Sequence, residues 1–354
     1  MLNEPAFIKG AAWIFVGAFL ASSFGVILKG IRAWRWEHLW LVYSFIGMFA
    51  VPWATGFLTV PQLLTVLRSA HGKDVMLVIL YGMGWGLGSV LYGLALRRVG
   101  VALSQAIVVG LTAAVGSLAP LVLLHPEYVL RARGKVIIGG VLLIVIGVCL
   151  SAWSGKLKVA RLEKKTTIAS SQVASGSYVK GVICAILSGL FSPMLNLSFA
   201  YGAPLAEIAR AHGARVIFEA NAIWTIALTA GFLVNAGYCA ILITKGDSWG
   251  TFSDQYFHYW LAILMGVLWC AGPIFYGFGS ANFGELSAVV GWVLFTSLSI
   301  ICANFWGGVS GEWANSGKKP FSVMLSSIVV LCIGMAVVAW GNTLDQLDPL
   351  RRLR

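Results

Sequence analysis

The residues best suited to bind a ligand in this chain lie on two near copies of one motif. The stretch YGMGWGLGSVLYGLALRRVG covers residues 81–100, and LMGVLWCAGPIFYGFGSANFG covers residues 264–284. Both fit the pattern G-x2-W-x2-G-x3-Y-G-x6-G. Flat aromatic rings bind apolar C–H surfaces, and glycines beside them leave space or allow close helix packing. We interpret the aromatic residues of both copies as binding residues: Trp85, Tyr92, Trp269 and Tyr276.

Three carboxylates next to apolar runs form the second group of candidates. Glu285 follows the second motif and begins an apolar run, where a carboxyl in an apolar cleft can carry a proton near neutral pH. The alternative is a charge that the helix dipole favours. Glu219 is predicted about one turn into another run, where an ion pair with Arg215 is the alternative. Glu207 lies in APLAEIARAHG, and its alternative is a solvated loop or an interfacial helix.

Uncharged polar residues inside apolar runs form the third group. Gln105, Asn196 and Asn304 must find hydrogen-bond partners away from water. They either join helices to one another or bind the hydroxyl groups of a ligand. A pyranose has hydroxyl groups and an apolar C–H face, so a sugar site would combine such amides with aromatic faces, including that of Trp292.

The composition indicates the class of protein to which these side chains belong. Hydrophobic residues make up 59% of the 354 residues, charged residues make up 11%, and the mean hydropathy is +0.86. Soluble domains carry about a quarter charged residues, so the chain is an integral membrane protein. The net charge of +12 comes from Lys and Arg between apolar runs, as loops require, and predicts no nucleic-acid partner.

Catalytic and metal-binding patterns are missing from the sequence. The six cysteines are scattered within apolar runs without a CxxC or Cys/His pairing, so we predict no metal site. HExxH, GxSxG and P-loop motifs are absent. We therefore predict a protein that is not an enzyme and uses no cofactor. A membrane enzyme acting on lipids would need a His, Asp, Glu or metal cluster, and a passive channel is the other alternative.

Ten apolar runs are long enough to cross a bilayer, because about 20 helical residues span a hydrocarbon core of roughly 30 Å. Their connections are mostly short. The predicted spans are 7–28, 38–60, 75–96, 99–124, 135–153, 180–201, 216–244, 258–280, 285–308 and 322–342. The fold class that follows is an all-α membrane protein with ten transmembrane helices.

The copied motif divides these helices into two halves. Its copies fall on the third and eighth spans, so the chain is predicted to hold two five-helix repeats at 1–153 and 180–344, joined by a polar, basic linker at 154–179 and followed by a tail at 345–354. Because five is odd, the repeats are inverted, as in many carriers that work by alternating access. The Lys and Arg count slightly favours a cytoplasmic linker, with both termini outside.

Several stretches in order along the chain resemble the L-rhamnose–proton symporter family of the drug/metabolite transporter superfamily. They are AWRWEHLW at 33–40, GMGWGLGSVLYGLALRRVG at 82–100, GLFSPMLNLSFAYGAPLAE at 189–207, NAGYC at 235–239 and EWANSGKKP at 312–320. The resemblance implies a multi-pass carrier of the bacterial inner membrane that imports L-rhamnose with a proton, and it draws attention to Glu207 and Glu37. The stretch that carries Glu285 departs from the family's pattern.

The resulting prediction is a proton-coupled carrier of L-rhamnose or a related deoxysugar. The two motif helices are expected to form facing walls of the binding cavity, each with one Trp and one Tyr, while Glu285, Glu207 or Glu219 carries the proton. The alternative keeps the fold and changes the cargo to a drug or another small molecule, because fold does not fix function.

Overall fold

The computed structural model describes residues 4–28, 34–163, 175–253, 256–311, 313–314 and 316–344. In chain order the α-helices of these ranges are α1 (Glu4–Leu28), α2 (Trp36–Ser44), α3 (Val51–Thr59), α4 (Leu63–Ser69), α5 (Gly72–Leu124), α6 (Pro126–Val129), α7 (Ala132–Glu163), α8 (Ser175–Phe191), α9 (Met194–Tyr201), α10 (Ala203–Ala211), α11 (Asn221–Lys245), α12 (Tyr256–Ser280), α13 (Ser287–Val309) and α14 (Lys318–Thr343). A π-helix at Phe45–Ala50 joins α2 to α3, and 3-10 turns occupy Trp249–Ser253 and Gly284–Leu286.

Ten stretches of the described helices are long and apolar enough to cross a membrane, as predicted. They are Pro5–Phe24, Trp36–Thr59, Gly72–Ala95, Ile107–Leu124, Ala132–Lys158, Tyr178–Ala211, Asn221–Lys245, Phe257–Ser280, Gly284–Val309 and Lys318–Thr343, hereafter spans 1 to 10. The largest difference in bounds concerns the linker, because α7 continues to Glu163 and α8 begins at Ser175. The rest of the linker and the tail from residue 345 lie outside the described residues.

Helix α5 contains both span 3 and span 4 and doubles back on itself. The Ser188 hydroxyl donates to the Gly88 carbonyl at 2.8 Å, and the adjacent Gly189 packs on Leu111. A straight helix would separate Gly88 from Leu111 by roughly 35 Å, so both cannot touch neighbouring residues of α8 unless the chain turns between them. The prediction of two separate spans is therefore correct although the backbone stays helical between them.

Span 6 is a broken helix made of α8, α9 and α10. Pro193 follows α8, and a proline inside a helix removes a backbone hydrogen bond and disturbs the preceding turn. A second break falls at Gly202, where a methyl group would overlap the side chain of Ile223. Broken spans are where carriers build binding sites, and α9 and α10 carry Asn196 and Glu207.

The packing of the spans has the symmetry that an inverted repeat requires. Span 1 packs on spans 8 and 9, and span 6 packs on α5, which holds spans 3 and 4. Span 2 packs on span 8 as span 7 packs on α5, and spans 5 and 10 pack on each other. If each span is replaced by the span five places away in the chain, each of these pairs becomes another pair of the same set or remains the same pair. The predicted repeat is consistent with this arrangement.

Two glycine contacts repeat the same symmetry at the level of atoms. Gly82 and Gly266 of the motif are 184 residues apart, and so are their neighbours Gly47 and Gly231. A methyl group on Gly47 would lie 2.8 Å from the Gly266 carbonyl oxygen, and one on Gly231 would lie 3.2 Å from that of Gly82. The motif glycines therefore let backbones touch, which is the packing interpretation of small residues in membrane helices.

The alternation of the spans gives the molecule two faces. Odd-numbered spans begin, and even-numbered spans end, at the face that also holds the start of α1 and the end of α14. We call it the termini face, and the opposite side, where α7 ends and α8 begins, the linker face. The contact of Phe7 with Phe283, whose ring centres are 5.1 Å apart, confirms that α1 starts beside the end of span 8.

Candidate functional site

A cavity of about 560 Å³ opens at the termini face. The end of span 4, helices α9 and α10, the start of span 7, the end of span 8 and the start of span 9 form its walls. Its volume lies within the range of about 300–1,000 Å³ that small-molecule sites occupy. The polar side chains on its walls belong to His125, Glu207, Arg210, Glu219, Ser280, Glu285 and Ser287.

All three carboxylates that the sequence singled out line this one cavity. Glu207 lies on α10, Glu219 lies in the turn before α11, and Glu285 lies in the 3-10 turn before α13. Glu207 and Glu219 flank the connection between spans 6 and 7, and Glu285 follows 66 residues after Glu219. The fold brings them together because the ends of spans 6 and 8 and the starts of spans 7 and 9 meet at the termini face. A proton from water in the cavity can reach each of them.

Glu219 differs from its prediction in position and in partner. It precedes α11 instead of lying one turn inside it, because the helix begins at Asn221. Its ion-pair partner is Arg210, which donates from Nε at 2.7 Å and from Nη2 at 2.9 Å, and not the predicted Arg215. This two-bond geometry joins α10 to the start of span 7 and neutralises the charge of Glu219.

Glu285 begins span 9, as predicted, and its carboxylate accepts a hydrogen bond from the Tyr128 hydroxyl at 2.8 Å. The preceding Gly284 has φ +67°, a left-handed conformation that glycine adopts without strain. That residue turns the chain from span 8 into the 3-10 turn, so the carboxylate faces the cavity while Tyr128 contacts it from the connection between spans 4 and 5.

The two motif tryptophans meet at the centre of the molecule. Trp85 and Trp269 stack with ring centres 5.4 Å apart and an interplanar angle of 18°. The expectation that the two motif helices form facing walls of the binding cavity stays a prediction, since Trp269 but not Trp85 lines the cavity beside this pair. Beside this pair lies a small cavity of about 50 Å³. Its lining is mostly aromatic and apolar: Ala21, Leu195, Trp224, Trp269, Pro273, Tyr276, Trp292 and Phe295.

Asn196 holds four spans together beneath the large cavity. Its amide nitrogen donates to the carbonyls of Gly116 at 2.8 Å and Ala288 at 2.9 Å. Its oxygen accepts from the Tyr276 hydroxyl at 2.6 Å. Both amide hydrogens therefore serve packing of spans 4, 6, 8 and 9 in this conformation. The Trp292 indole is anchored in the same way, on the Thr112 carbonyl at 3.1 Å.

Two predicted binding residues are not placed beside the others. Tyr92 packs in a separate apolar cluster with Ala95, Val108 and Ala185, so only the second copy of the motif contributes its tyrosine to the central group. The side chain of Gln105 lies outside the described part of the chain. Glu37, which the resemblance brought forward, is buried near the linker face and pairs with Arg35 at 2.6 Å, away from the carboxylates of the cavity.

Sequence reasoning missed Phe199 and Trp224, which together with the predicted Tyr276 form an aromatic layer between the two cavities. Phe199 lines the large cavity, and its ring stacks on Trp224 at 5.4 Å and contacts Tyr276 edge-on at 5.0 Å. Trp224 and Tyr276 in turn line the small cavity. Nothing in the spacing of Phe199 or Trp224 distinguishes them from packing residues. Pro193, which precedes α9, is the sequence signal that could have indicated a break in span 6 near these residues.

The comparison with protein families agrees with this architecture. The family model described as L-rhamnose-proton symport protein matches residues 3–343, nearly the whole chain. The chain belongs to this symporter family. Among curated members, the L-rhamnose-proton symporter of Klebsiella pneumoniae (strain 342) is 29% identical over 350 residues, covering 95% of this chain and 98% of that protein.

Further relatives of the symporter family match with similar extent. The L-rhamnose-proton symporters of Salmonella gallinarum and of Escherichia coli O17:K52:H18 are each 28% identical, covering 96% and 95% of this chain. One solved structure, described only as a crystal structure of a protein, has a TM-score of 0.55 and 15% identity and covers 93% of this chain. This likeness concerns the fold alone.

Proposed function

We propose that this chain imports L-rhamnose together with a proton by alternating access. It is a multi-pass protein of the bacterial inner membrane, as its ten spans and its bacterial family indicate. One observation carries the proposal beyond family membership. Three carboxylates line a single cavity that is open at one face and ends on an aromatic layer. Such a cavity admits water, protons and a small polar ligand from one side only.

Glu285 is the carboxylate that we assign to the proton. Glu219 already pairs with Arg210 through two hydrogen bonds, so a proton there would have to replace a strong ion pair. Glu285 lies exposed in the cavity and is held by the neutral hydroxyl of Tyr128. Glu207, which lies in the same cavity one turn before Arg210, is the second candidate.

The aromatic centre is the part that we assign to the sugar. The methyl group and C–H face of L-rhamnose are apolar, and flat rings bind such surfaces. Trp269, Tyr276 and Trp292 line the small cavity, and Trp85 stacks behind Trp269. The present space of about 50 Å³ is too small for a sugar, so binding requires Phe199 or its neighbours to move and join the two cavities.

In the mechanism that follows, the two halves of the chain exchange conformations. With Glu285 charged, the cavity stays open to water at the termini face. Protonation removes one negative charge, and the sugar fills the space between the halves, so that the termini face can close. Rocking of one repeat against the other then opens the linker face, where sugar and proton leave.

Uptake of radiolabelled L-rhamnose tests the proposal, in cells that lack their own carrier. We expect accumulation that a protonophore abolishes and that unlabelled L-rhamnose, but not L-glucose, inhibits. Glu285→Gln should lose accumulation, while Glu207→Gln retains the larger part of it. A well-expressed protein without rhamnose accumulation contradicts the proposal, and a screen of other deoxysugars and of lipophilic cations would then identify the cargo.

A further inference from the structure

A row of side chains extends from Glu285 away from the cavity into the protein. The Tyr128 hydroxyl donates to Glu285 Oε2 at 2.8 Å, and the Arg133 guanidinium carbon lies 5.0 Å from the centre of the Tyr128 ring. Arg133 Nη2 donates to Asn342 Oδ1 at 2.7 Å. Tyr128, Arg133 and Asn342 are not among the residues that line the cavity, so none of them contacts the sugar in the proposed function.

Beyond Glu285, which is exposed in the cavity, the members of the row are buried, and burial strengthens their electrostatic interactions. Tyr128 and Arg133 are each 7% exposed, and Asn342 is fully buried. A buried guanidinium is costly unless negative charge or polar groups compensate it. The ring face of Tyr128 and the amide oxygen of Asn342 provide part of this compensation, and the charge of Glu285 lies just beyond the tyrosine hydroxyl.

The row also joins the start of span 9 to the paired helices α7 and α14. Glu285 begins span 9, whose helix α13 packs most extensively on α1 and also contacts α5, α14, α12 and α7. Arg133 begins α7 and Asn342 ends α14, and these two helices pack on each other along their length. Tyr128, on α6, is the residue that connects Glu285 to the pair of α7 and α14. Movement of span 9 away from that pair must therefore break the hydrogen bond of Tyr128.

We propose that Tyr128 is a positioning residue that links the protonation of Glu285 to the movement of span 9. The inference rests on the proposed function, in which Glu285 carries the proton. A charged carboxylate accepts the Tyr128 hydrogen bond strongly, and a protonated carboxyl accepts it weakly. Proton binding thus loosens the contact between span 9 and the α7–α14 pair, and deprotonation restores it.

Other charged groups surround Glu285 and must be distinguished from this contact. On the connection between spans 4 and 5, His125 and Glu127 lie 3.6 Å apart, and Arg131 lies 5.6 Å from the Tyr128 ring centre. Across the cavity are the Arg210–Glu219 pair and Glu207. These groups remain in a Tyr128→Phe variant, which removes one hydroxyl and keeps the ring under Arg133.

Two transport assays on Tyr128→Phe test the inference. Counterflow, in which labelled sugar exchanges against preloaded unlabelled sugar, requires no net proton movement. We expect counterflow to persist while proton-driven accumulation falls about tenfold and its pH profile flattens. Tyr178→Phe, which removes a hydroxyl from an exposed tyrosine of α8, is the matched control and should behave as wild type. Equal loss of counterflow and accumulation at every pH would indicate a structural role and overturn the inference.

Thermal unfolding of the purified protein in detergent tests the same contact without any sugar. A charged carboxylate accepts the Tyr128 hydrogen bond more strongly than a neutral amide does, so Tyr128→Phe should lower the unfolding midpoint more in the wild-type background than in Glu285→Gln. The double variant should therefore lose less stability than the sum of the two single variants. Additive effects in the double variant would contradict the inference. If Tyr128→Phe does not fold, Glu285→Asp replaces it in this test, because the shorter side chain withdraws the carboxylate from Tyr128.

The two assays separate the inference from the proposed function. Wild type that transports no rhamnose refutes the function, and the unfolding series still decides whether Tyr128 responds to the charge of Glu285. Wild type that transports rhamnose with Tyr128→Phe unchanged in every assay refutes the inference alone.

Discussion

At the scale of single residues, the site divides chemistry between two kinds of side chain. Carboxylates that can exchange protons with water line the large cavity, and aromatic rings line the small one. The amide of Asn196 lies between them, with both its hydrogens bound to backbone carbonyls. We therefore expect changes to the rings to alter sugar affinity and changes to the carboxylates to alter proton coupling. Each kind of change should have little effect on the other property.

Trp269→Ala tests the role of the rings. It removes the ring that stacks on Trp85 and lines the small cavity, so we expect the half-saturating rhamnose concentration to rise about tenfold or more, equivalent to about 1.4 kcal/mol. Trp260→Ala is the control, because Trp260 lies on the same helix with 70% of its surface exposed. Equal rhamnose affinity in the two variants would exclude the central tryptophan from sugar binding.

The Arg210–Glu219 pair makes a separate prediction at this scale. Arg210→Gln leaves the largely buried Glu219 without its two hydrogen bonds, so the unfolding midpoint in detergent should fall. The double variant Arg210→Gln, Glu219→Gln removes both charges and should recover much of that loss, because two amides can still bond to each other. If the double variant is less stable than Arg210→Gln, the unpaired charge of Glu219 is not the cause of the stability that Arg210→Gln loses.

At the scale of elements, close contact between backbones explains two matching glycines of the motif, Gly82 and Gly266. Span 3 lies against span 7 through Gly82 and Gly231, and span 8 lies against span 2 through Gly266 and Gly47. The latter contact falls in the π-helix of span 2, a local irregularity that often accompanies functional sites. These contacts fix the motif helices at the distance where their tryptophans can stack.

Two substitutions on one helix isolate this effect. A methyl group on Gly231 would meet the Trp85 ring at 2.7 Å, whereas one on Gly237 would meet nothing within 4 Å. We expect Gly231→Ala to lower both the unfolding midpoint and transport. Gly237→Ala should keep transport and gain stability, by up to about 1 kcal/mol, from the higher helix propensity of alanine. Equal effects at both positions would show that backbone contact is unimportant.

At the scale of the whole molecule, the large cavity opens at one face, the termini face. The large cavity reaches the termini face, and the aromatic layer of Phe199, Trp224 and Tyr276 separates it from the central cavity. A carrier that works by alternating access must visit the opposite arrangement. The packing pairs of one half correspond to those of the other. In an inverted repeat, each half can therefore adopt the conformation of the other, which would open the linker face.

Thiol labelling in intact cells tests both the exposed face and its closure. In a variant without natural cysteines, Ala203→Cys on the cavity wall should react with a membrane-impermeant reagent added outside, as the predicted outward position of the termini requires. L-Rhamnose should slow this reaction. Ala211→Cys, exposed on the same helix but not on the cavity wall, should react at a rate independent of the sugar. Labelling only after permeabilisation would place the termini face in the cytoplasm.

The sequence by itself determined the class of protein and its ten spans. Membrane spans can be predicted because every buried backbone group must be satisfied within an apolar helix of bilayer length. The internal copy of the motif indicated that Trp85 and Trp269 occupy matching positions in the two halves, but their stacking is seen only in the structure. Glu207, Glu219 and Glu285 were found individually, since charges next to apolar runs are rare.

Only the tertiary structure decided which of these residues share a site. It paired Glu219 with Arg210 and not with Arg215, since the chain turns before α11 begins. It assigned Tyr92 to another cluster and introduced Phe199 as the divider of the cavities. It also placed Tyr128 beside Glu285, although 157 residues separate them. Such contacts depend on the angles and distances at which helices cross, and single-sequence periodicity carries no information about either.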